Sequence, residues 1–227
     1  MERENLSLPP APTRGNQRVA KSRRNLLVNG AIASLGVAGS VGLQALLPKR
    51  SEAADSMDKQ SDAKVLNGAL FYEHQAIWAY SFAAGKLTNT AVGQAVLAIA
   101  LANQADHKQH RDVLSSAIRS LGGTPVIAQA SYDLSGYLKK REGNIDSDVN
   151  IAKLALALET DAAIAYTQEI SKLKTPALIT AGASIGSTEA SHATVIRAAF
   201  KSLGVNLQVV PTAFVSAQNR DRWILTV

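Results

Sequence analysis

Six residues of this chain could do chemistry together, because they sit in a pattern that occurs twice. Glu73 and Tyr80, in E-H-Q-A-I-W-A-Y, recur as Glu159 and Tyr166 in E-T-D-A-A-I-A-Y. His107 and His110, in H-K-Q-H-R-D-V-L-S-S-A-I-R-S-L-G, recur as Glu189 and His192 in E-A-S-H-A-T-V-I-R-A-A-F-K-S-L-G. A Glu on one helix and an X-x-x-His on the next, duplicated, is a layout that holds two metal ions inside a four-helix bundle. The three-residue spacing puts both members of each pair on one helix face. The halves differ at one chemical position: the first has His107 where the second has Glu189.

Helices must position these groups, and the apolar pattern predicts four. They run from about Asp58 to Gly85, Thr90 to Leu121, Ser147 to Leu173 and Pro176 to Leu203. Each carries an inward stripe at three- and four-residue steps, the period of one helix face. Leu66, Glu73 and Tyr80 belong to the first stripe, and Asn103, His107, His110 and Leu114 to the second. Glu159 and Tyr166 belong to the third, and Ile185, Glu189, His192 and Ile196 to the fourth. Gly85, Gly122 and Gly204 stand where a helix end wants a left-handed residue, and Pro176 suits a first turn. Short links join the first to the second helix and the third to the fourth, so each pair is an antiparallel hairpin. The link from Gly122 to about Asp146 is long, a crossover between hairpins. A tail from Val205, with Pro211, Phe214 and Trp223, is expected to pack along the outside.

The bulk composition excludes several function classes. The chain has 227 residues, 46% of them hydrophobic, and a net charge of +6. Residues 1–53 hold eight Lys/Arg against three Asp/Glu, leaving sixteen against fifteen in residues 54–227. The basic excess is therefore N-terminal, and the body carries neither a polyanion footprint nor a nucleic-acid motif. There is no Cys, which excludes disulfides, thiolate zinc sites and iron–sulfur clusters.

The N-terminal segment resembles a twin-arginine export signal. Ser22-Arg23-Arg24-Asn25-Leu26-Leu27 precedes a Gly/Ala-rich apolar run to about Leu47, then Lys49, Arg50 and Ser51-Glu52-Ala53-Ala54. Ser51 and Ala53 fit the small-residue rule for cleavage after Ala53. The pattern departs from the usual signal in having Leu26 where Phe is preferred and no Lys after Leu27. The resemblance implies passage through the twin-arginine export machinery to a periplasmic or other extracytoplasmic location. The alternative is an uncleaved membrane anchor, since about 20 apolar residues just span a bilayer. The division expected is a disordered N-terminus and signal over 1–53, a four-helix bundle over 54–204, and a tail over 205–227.

From about Asp58 to Leu203 the chain resembles a ferritin-like domain: all-α, two antiparallel helix hairpins joined by a long crossover. It is similar to exported bacterial ferritin-like proteins that include desiccation-related ones. The residues carrying this are Glu73, His110, Glu159, Glu189 and His192, with Leu-Gly-Gly-Thr-Pro after the second helix. The resemblance implies that Glu73 and Glu159 are terminal carboxylate ligands, Glu189 a bridge, and His110 and His192 imidazole ligands. The cofactor implied is Fe or Mn, one or two ions. His107 departs from the family pattern: a neutral imidazole has one lone pair and cannot bridge as a carboxylate does. Asp106, one turn before His110, could rotate in as a fourth carboxylate. A modified two-metal site, a single-metal site and a degenerate one all remain open, as does a metal-free layer of Glu–His pairs sharing protons.

His74 and Asp161 lie beside ligand positions but off the stripes, which places them at the surface or behind the ligands. Tyr80 and Tyr166 are expected to donate their hydroxyls to carboxylates. The function expected is an exported metalloprotein handling iron, peroxide or oxygen. The alternatives are a non-catalytic stress-protective bundle and a membrane-tethered interaction module. Nothing in the sequence marks a cage-assembly surface.

Overall fold

The computed structural model describes residues 52–227, so the N-terminus and export signal expected over 1–53 lie outside the described residues except for Glu52 and Ala53. Four long helices dominate: α1 (Glu52–Ala84), α2 (Ala91–Ser120), α4 (Asp148–Glu169) and α5 (Pro176–Ser202). Two short ones, α3 (Ser135–Lys139) and α6 (Arg220–Trp223), lie in the crossover and the tail. Among the described residues there is no strand, and no helix is long and apolar enough to cross a membrane. α1 packs chiefly on α2, and α4 chiefly on α5, so the two hairpins expected are present. α1 begins at Glu52, earlier than its pattern indicates, so the cleavage boundary expected after Ala53 falls in its first turn.

Local chemistry sets the helix ends. Thr90 caps α2 by accepting the Gly93 N–H, and Ser147 caps α4 by accepting the Asn150 N–H. Pro176 opens α5. Gly122 and Gly204 take φ values of 80° and 87°, the left-handed conformation that closes α2 and α5. Gly85 does not. There the chain leaves α1 through a turn in which Lys86 N–H donates to Ala83 O, which needs no left-handed residue.

A further repeated residue clips the hairpins to each other. Asp62 on α1 is fully buried and accepts the backbone N–H groups of Lys174 and Thr175, in the α4–α5 loop, at 2.7 and 3.0 Å. Asp148, at the start of α4, accepts the Thr88 N–H at 2.9 Å and the Thr88 and Thr90 hydroxyls, in the α1–α2 loop. Asp62 and Asp148 keep the same offset as Glu73 and Glu159, so each hairpin holds the loop of the other by one residue of the repeat.

The crossover and tail wrap the bundle. Asn67 accepts the Val126 N–H and donates to Thr124 O, and His74 donates to Val126 O, which pins the crossover to α1. Tyr132 and Leu134 bury beside it. In the tail, Trp223 packs with Leu156, Ala193, Ile196 and Phe200. Buried Arg197 donates to the carbonyls of Gln208, Val209 and Trp223. Arg220 makes a bidentate pair with Glu142 at 2.7 Å and another with Asp161. Pro211 is buried, but Phe214 does not pack inward. The residue is 75% exposed, and its carbonyl is what the tail uses, as acceptor for Thr212, Asn219 and Trp223.

Replacing Asp62 by Ala leaves two part-buried N–H groups without their acceptor. We expect a loss of about 1–3 kcal/mol, measured by denaturant unfolding. An unchanged midpoint would show that the loop does not depend on this clip.

Candidate metal centre

Each long helix contributes to one buried cluster at mid-height of the bundle. Glu73 comes from α1, His107 and His110 from α2, Glu159 from α4, and Glu189 and His192 from α5. Glu73, His107, Glu159, Glu189 and His192 are buried, and the His110 side chain is 12% exposed. Four facing stripes bring their polar members to one level because the two halves share one register.

The contacts form two overlapping groups. Glu73, His107, His110 and Glu189 make one, and His107, Glu159, Glu189 and His192 the other, with the donor atoms of each within 4.8 Å of one another. Glu189 and His107 belong to both. Glu189 offers Oε1 to the first group, 2.9 Å from His110 Nδ1, and Oε2 to the second, 3.4 Å from His192 Nδ1. His107 turns Nδ1 to Glu73 Oε2 at 2.8 Å and Nε2 to Glu159 Oε1 at 3.3 Å. Its ring thus lies between the groups and meets each through a different nitrogen.

Groups behind the cluster orient it. Tyr166 donates to Glu73 and Tyr80 to Glu159, so each Tyr serves the Glu of the opposite hairpin. Asn103 donates to the Tyr80 hydroxyl at 3.0 Å and lies 3.4 Å from Glu159 Oε1. His192 points Nδ1 inward to Glu159 at 3.1 Å and Nε2 outward to Asp106 Oδ2 at 3.2 Å. Asp106 is half-exposed and sits behind His192, where it fixes the ring. It does not take the place of a fourth carboxylate. His74 and Asp161 are outside the cluster, bonded to the crossover and to Arg220 respectively.

Burial and pairing pull the ionisations in opposite directions. Burial raises the Glu73 carboxyl, yet the hydrogen bond from His107 and the nearby His110 ring hold it below its ordinary value. Burial likewise raises Glu159, and the charge and hydrogen bond of His107 with the bond from His192 carry it well below. Glu189 stays above its ordinary value because burial outweighs His110 and His192. Burial lowers the histidines, but the nearby carboxylates of Glu189 and Glu73 lift His110 to about 9, and the hydrogen bond to Glu159 with the nearby Glu189 carboxylate lifts His192 to about 10. Burial also lowers His107, whereas Glu159 raises it well above 6.5. Burial and the neighbouring Glu159 and Glu73 charges keep Tyr80 and Tyr166 protonated as donors.

The cluster fits a metal ion. Both oxygens of Glu189 and Nδ1 of His110 are buried with no hydrogen-bond partner; the 2.9 Å approach between them lacks hydrogen-bond alignment. Unsatisfied buried groups of this kind cost about 1–3 kcal/mol each, more when charged. A cation between them would convert that cost into coordination, and carboxylate with imidazole is a donor set for Fe, Mn and Zn.

Residues 61–202, more than half of the chain, match the family described as Ferritin-like domain. The chain belongs to the ferritin-like domain family. Among solved structures it is similar to a conserved hypothetical protein of Mycobacterium tuberculosis, at 22% identity and a TM-score of 0.52. That alignment covers 61% of this chain and 96% of the other, and it bears on the fold alone. No curated protein matches the chain.

With no metal bound, the charged forms of His110 and His192 stabilise the fold fully below pH 6.5. That contribution is lost as pH rises through about 9 and about 10. Glu73 and Glu159 act oppositely: their contribution is present above pH 4.5 and fades on acidification below it. The Tm of metal-free protein should therefore fall between pH 6.5 and pH 10. Added Mn(II) should raise it most at the alkaline end, because coordination needs deprotonated imidazoles. A metal-free Tm that climbs over this range would contradict the assignment of charges.

Proposed function

We propose that this chain is an exported ferritin-like metalloprotein that binds Fe or Mn at the two overlapping groups and handles ferrous iron, peroxide or oxygen. The supporting observation is Glu189: fully buried, shared by both groups, and with neither oxygen satisfied by a hydrogen bond. A bound Fe or Mn pair would supply the change of oxidation state. The protein's own part is to hold and tune. Glu73 and His110 would face one ion, and Glu159 and His192 the other. Tyr166 and Tyr80 keep the two terminal carboxylates from rotating, and Asp106 keeps the Nε2–H of His192 directed outward. His107 brings the carboxylate count to three, one short of neutralising two divalent ions.

A second reading is a non-catalytic, stress-protective bundle with a degenerate site. The observation favouring it is also His107. A carboxylate only accepts, so with a proton on each nitrogen this ring satisfies Glu73 and Glu159 without any metal. The resemblance of the N-terminal segment to a twin-arginine signal supports export through that machinery, with release after Ala53. Mass spectrometry of the mature N-terminus distinguishes release from tethering.

Elemental analysis of the exported protein, paired with a ferrous-oxidation and peroxide-consumption assay, separates the two functional readings. The metalloprotein reading expects bound Fe or Mn, activity that depends on it, and loss of both in Glu159→Ala. The His107→Glu variant should bind metal more tightly, by about tenfold or more, because it restores a fourth carboxylate. Protein that is free of metal, and unchanged on adding Fe or Mn, sinks this reading and leaves the structural one.

A further inference from the structure

α1 and α4 approach each other much less closely than the helices within either hairpin, and a cavity of about 830 Å3 lies between them. This is the size range of small-molecule pockets. Its walls combine larger apolar side chains, among them Val65, Phe82, Leu154 and Leu158, with small ones at helical spacing. Gly68, Ala76 and Ala83 stand on α1, and Ala155, Ala162 and Ala165 on α4. Among the described residues, the crossover also lines the slot, through Leu134, Tyr137 and Ile145. Gly68 is exposed, and a Cβ built there meets nothing within 4 Å, so the groove is open beside it.

The slot has direction. The Tyr166–Glu73 and Tyr80–Glu159 pairs show that α1 and α4 run antiparallel, which sets Lys64 and Lys172 at the same end. Lys172 is paired with Glu169, whereas Lys64 is exposed and has no ion-pair partner among the described residues. From Lys64 to Phe82 the wall extends about 27 Å. Midway along, the floor is made by Glu73, Glu159 and His107 of the buried cluster. The slot is thus long, apolar along its sides, cationic at one mouth, and open in its middle onto the candidate metal centre.

We propose that the α1–α4 groove binds a free long-chain carboxylate, with its head at Lys64 and its alkyl chain lying along the alanine walls past Glu73 and Glu159. A methylene chain is slim enough for walls of Ala and Gly, and burying it there removes apolar wall and apolar ligand from water together. The free cation at one mouth matches one anionic head. This binding is independent of metal loading, since the chain and head contact the groove walls and Lys64.

The test is calorimetric titration of the purified full chain with palmitate, octanoate and hexadecanol, alongside measured metal content and oligomeric state. Palmitate should bind saturably and octanoate much more weakly. Gly68→Phe, which fills the slot, should weaken palmitate by about tenfold or more, while Gly68→Ala should bind as the parent does. Lys64→Glu should weaken palmitate without affecting hexadecanol, and it keeps the test valid if Gly68→Phe fails to fold. Metal content should be the same in all variants, so failure of the metal reading shows separately as metal-free protein that still binds palmitate. The proposal is overturned if the parent does not bind palmitate or if Gly68→Phe and Lys64→Glu bind it unchanged. It is also overturned if Gly68→Phe dissociates an oligomer, which would assign the groove to a second copy of the chain. Preference for phosphatidylglycerol vesicles over free palmitate would assign it to a membrane surface and overturn it equally.

Discussion

Glu73, Glu159 and Glu189 are carboxylates packed at the centre of a helical bundle, where water cannot solvate them. Carrying an uncompensated charge into such a place costs several kcal/mol even after relaxation. The rest of the structure answers that constraint. Three imidazoles face the carboxylates, two tyrosines donate to the terminal ones, and Asn103 supports Tyr80. Each of these partners sits on an inward stripe, because only an inward residue at the same height can reach. The constraint is met unevenly. Glu73 and Glu159 have hydrogen-bond donors for their charge, whereas Glu189 has near neighbours but no aligned donor. That imbalance singles out Glu189 as the group a cation would relieve.

The duplicated pattern organises more than the cluster. Asp62 and Asp148 apply the same device at opposite ends of the molecule, each tying down the other hairpin's loop. With the loops fixed, α1 and α4 are held at their ends, while the small side chains between them leave space unfilled. This explains how a long groove can exist beside a rigid polar centre. Arg197 and Arg220 extend the same logic to the tail: each anchors several polar groups at once, so a segment with little regular structure is held on the bundle.

Much of this was legible in the sequence because helix period and repeat register are local signals. The four helices follow from three- and four-residue spacing, the two hairpins from the short links, and the common level of Glu73, His107, His110, Glu159, Glu189 and His192 from the repeat register. Other features depend on which helix faces which, and spacing does not encode that. Tyr80 could be read as a donor, but its acceptor is Glu159 across the bundle, not Glu73 on its own helix. Asp106 looked able to supply a fourth carboxylate, yet its place one turn before His110 puts it behind His192. Asn103 was visible as a polar residue where the repeat has Ile185, and that mismatch was the available signal for its role. The Asp62–Asp148 correspondence was likewise present in the repeat offset. Arg220 gave no signal, since its partners Glu142 and Asp161 are distant in sequence. Phe214 misled because an aromatic residue in a tail usually packs, whereas here the carbonyl is what the fold uses.

The proposed metalloprotein would have Glu189 between two metal positions, one shared with Glu73 and His110 and the other with Glu159 and His192. Anomalous diffraction from crystals of the protein loaded with Fe or Mn, collected at the edge of the loaded metal, tests this most directly. Two anomalous peaks flanking the Glu189 carboxylate are predicted, each within coordination distance of one of its oxygens. A single peak away from Glu189, or none in crystals soaked at saturating metal, would contradict the account.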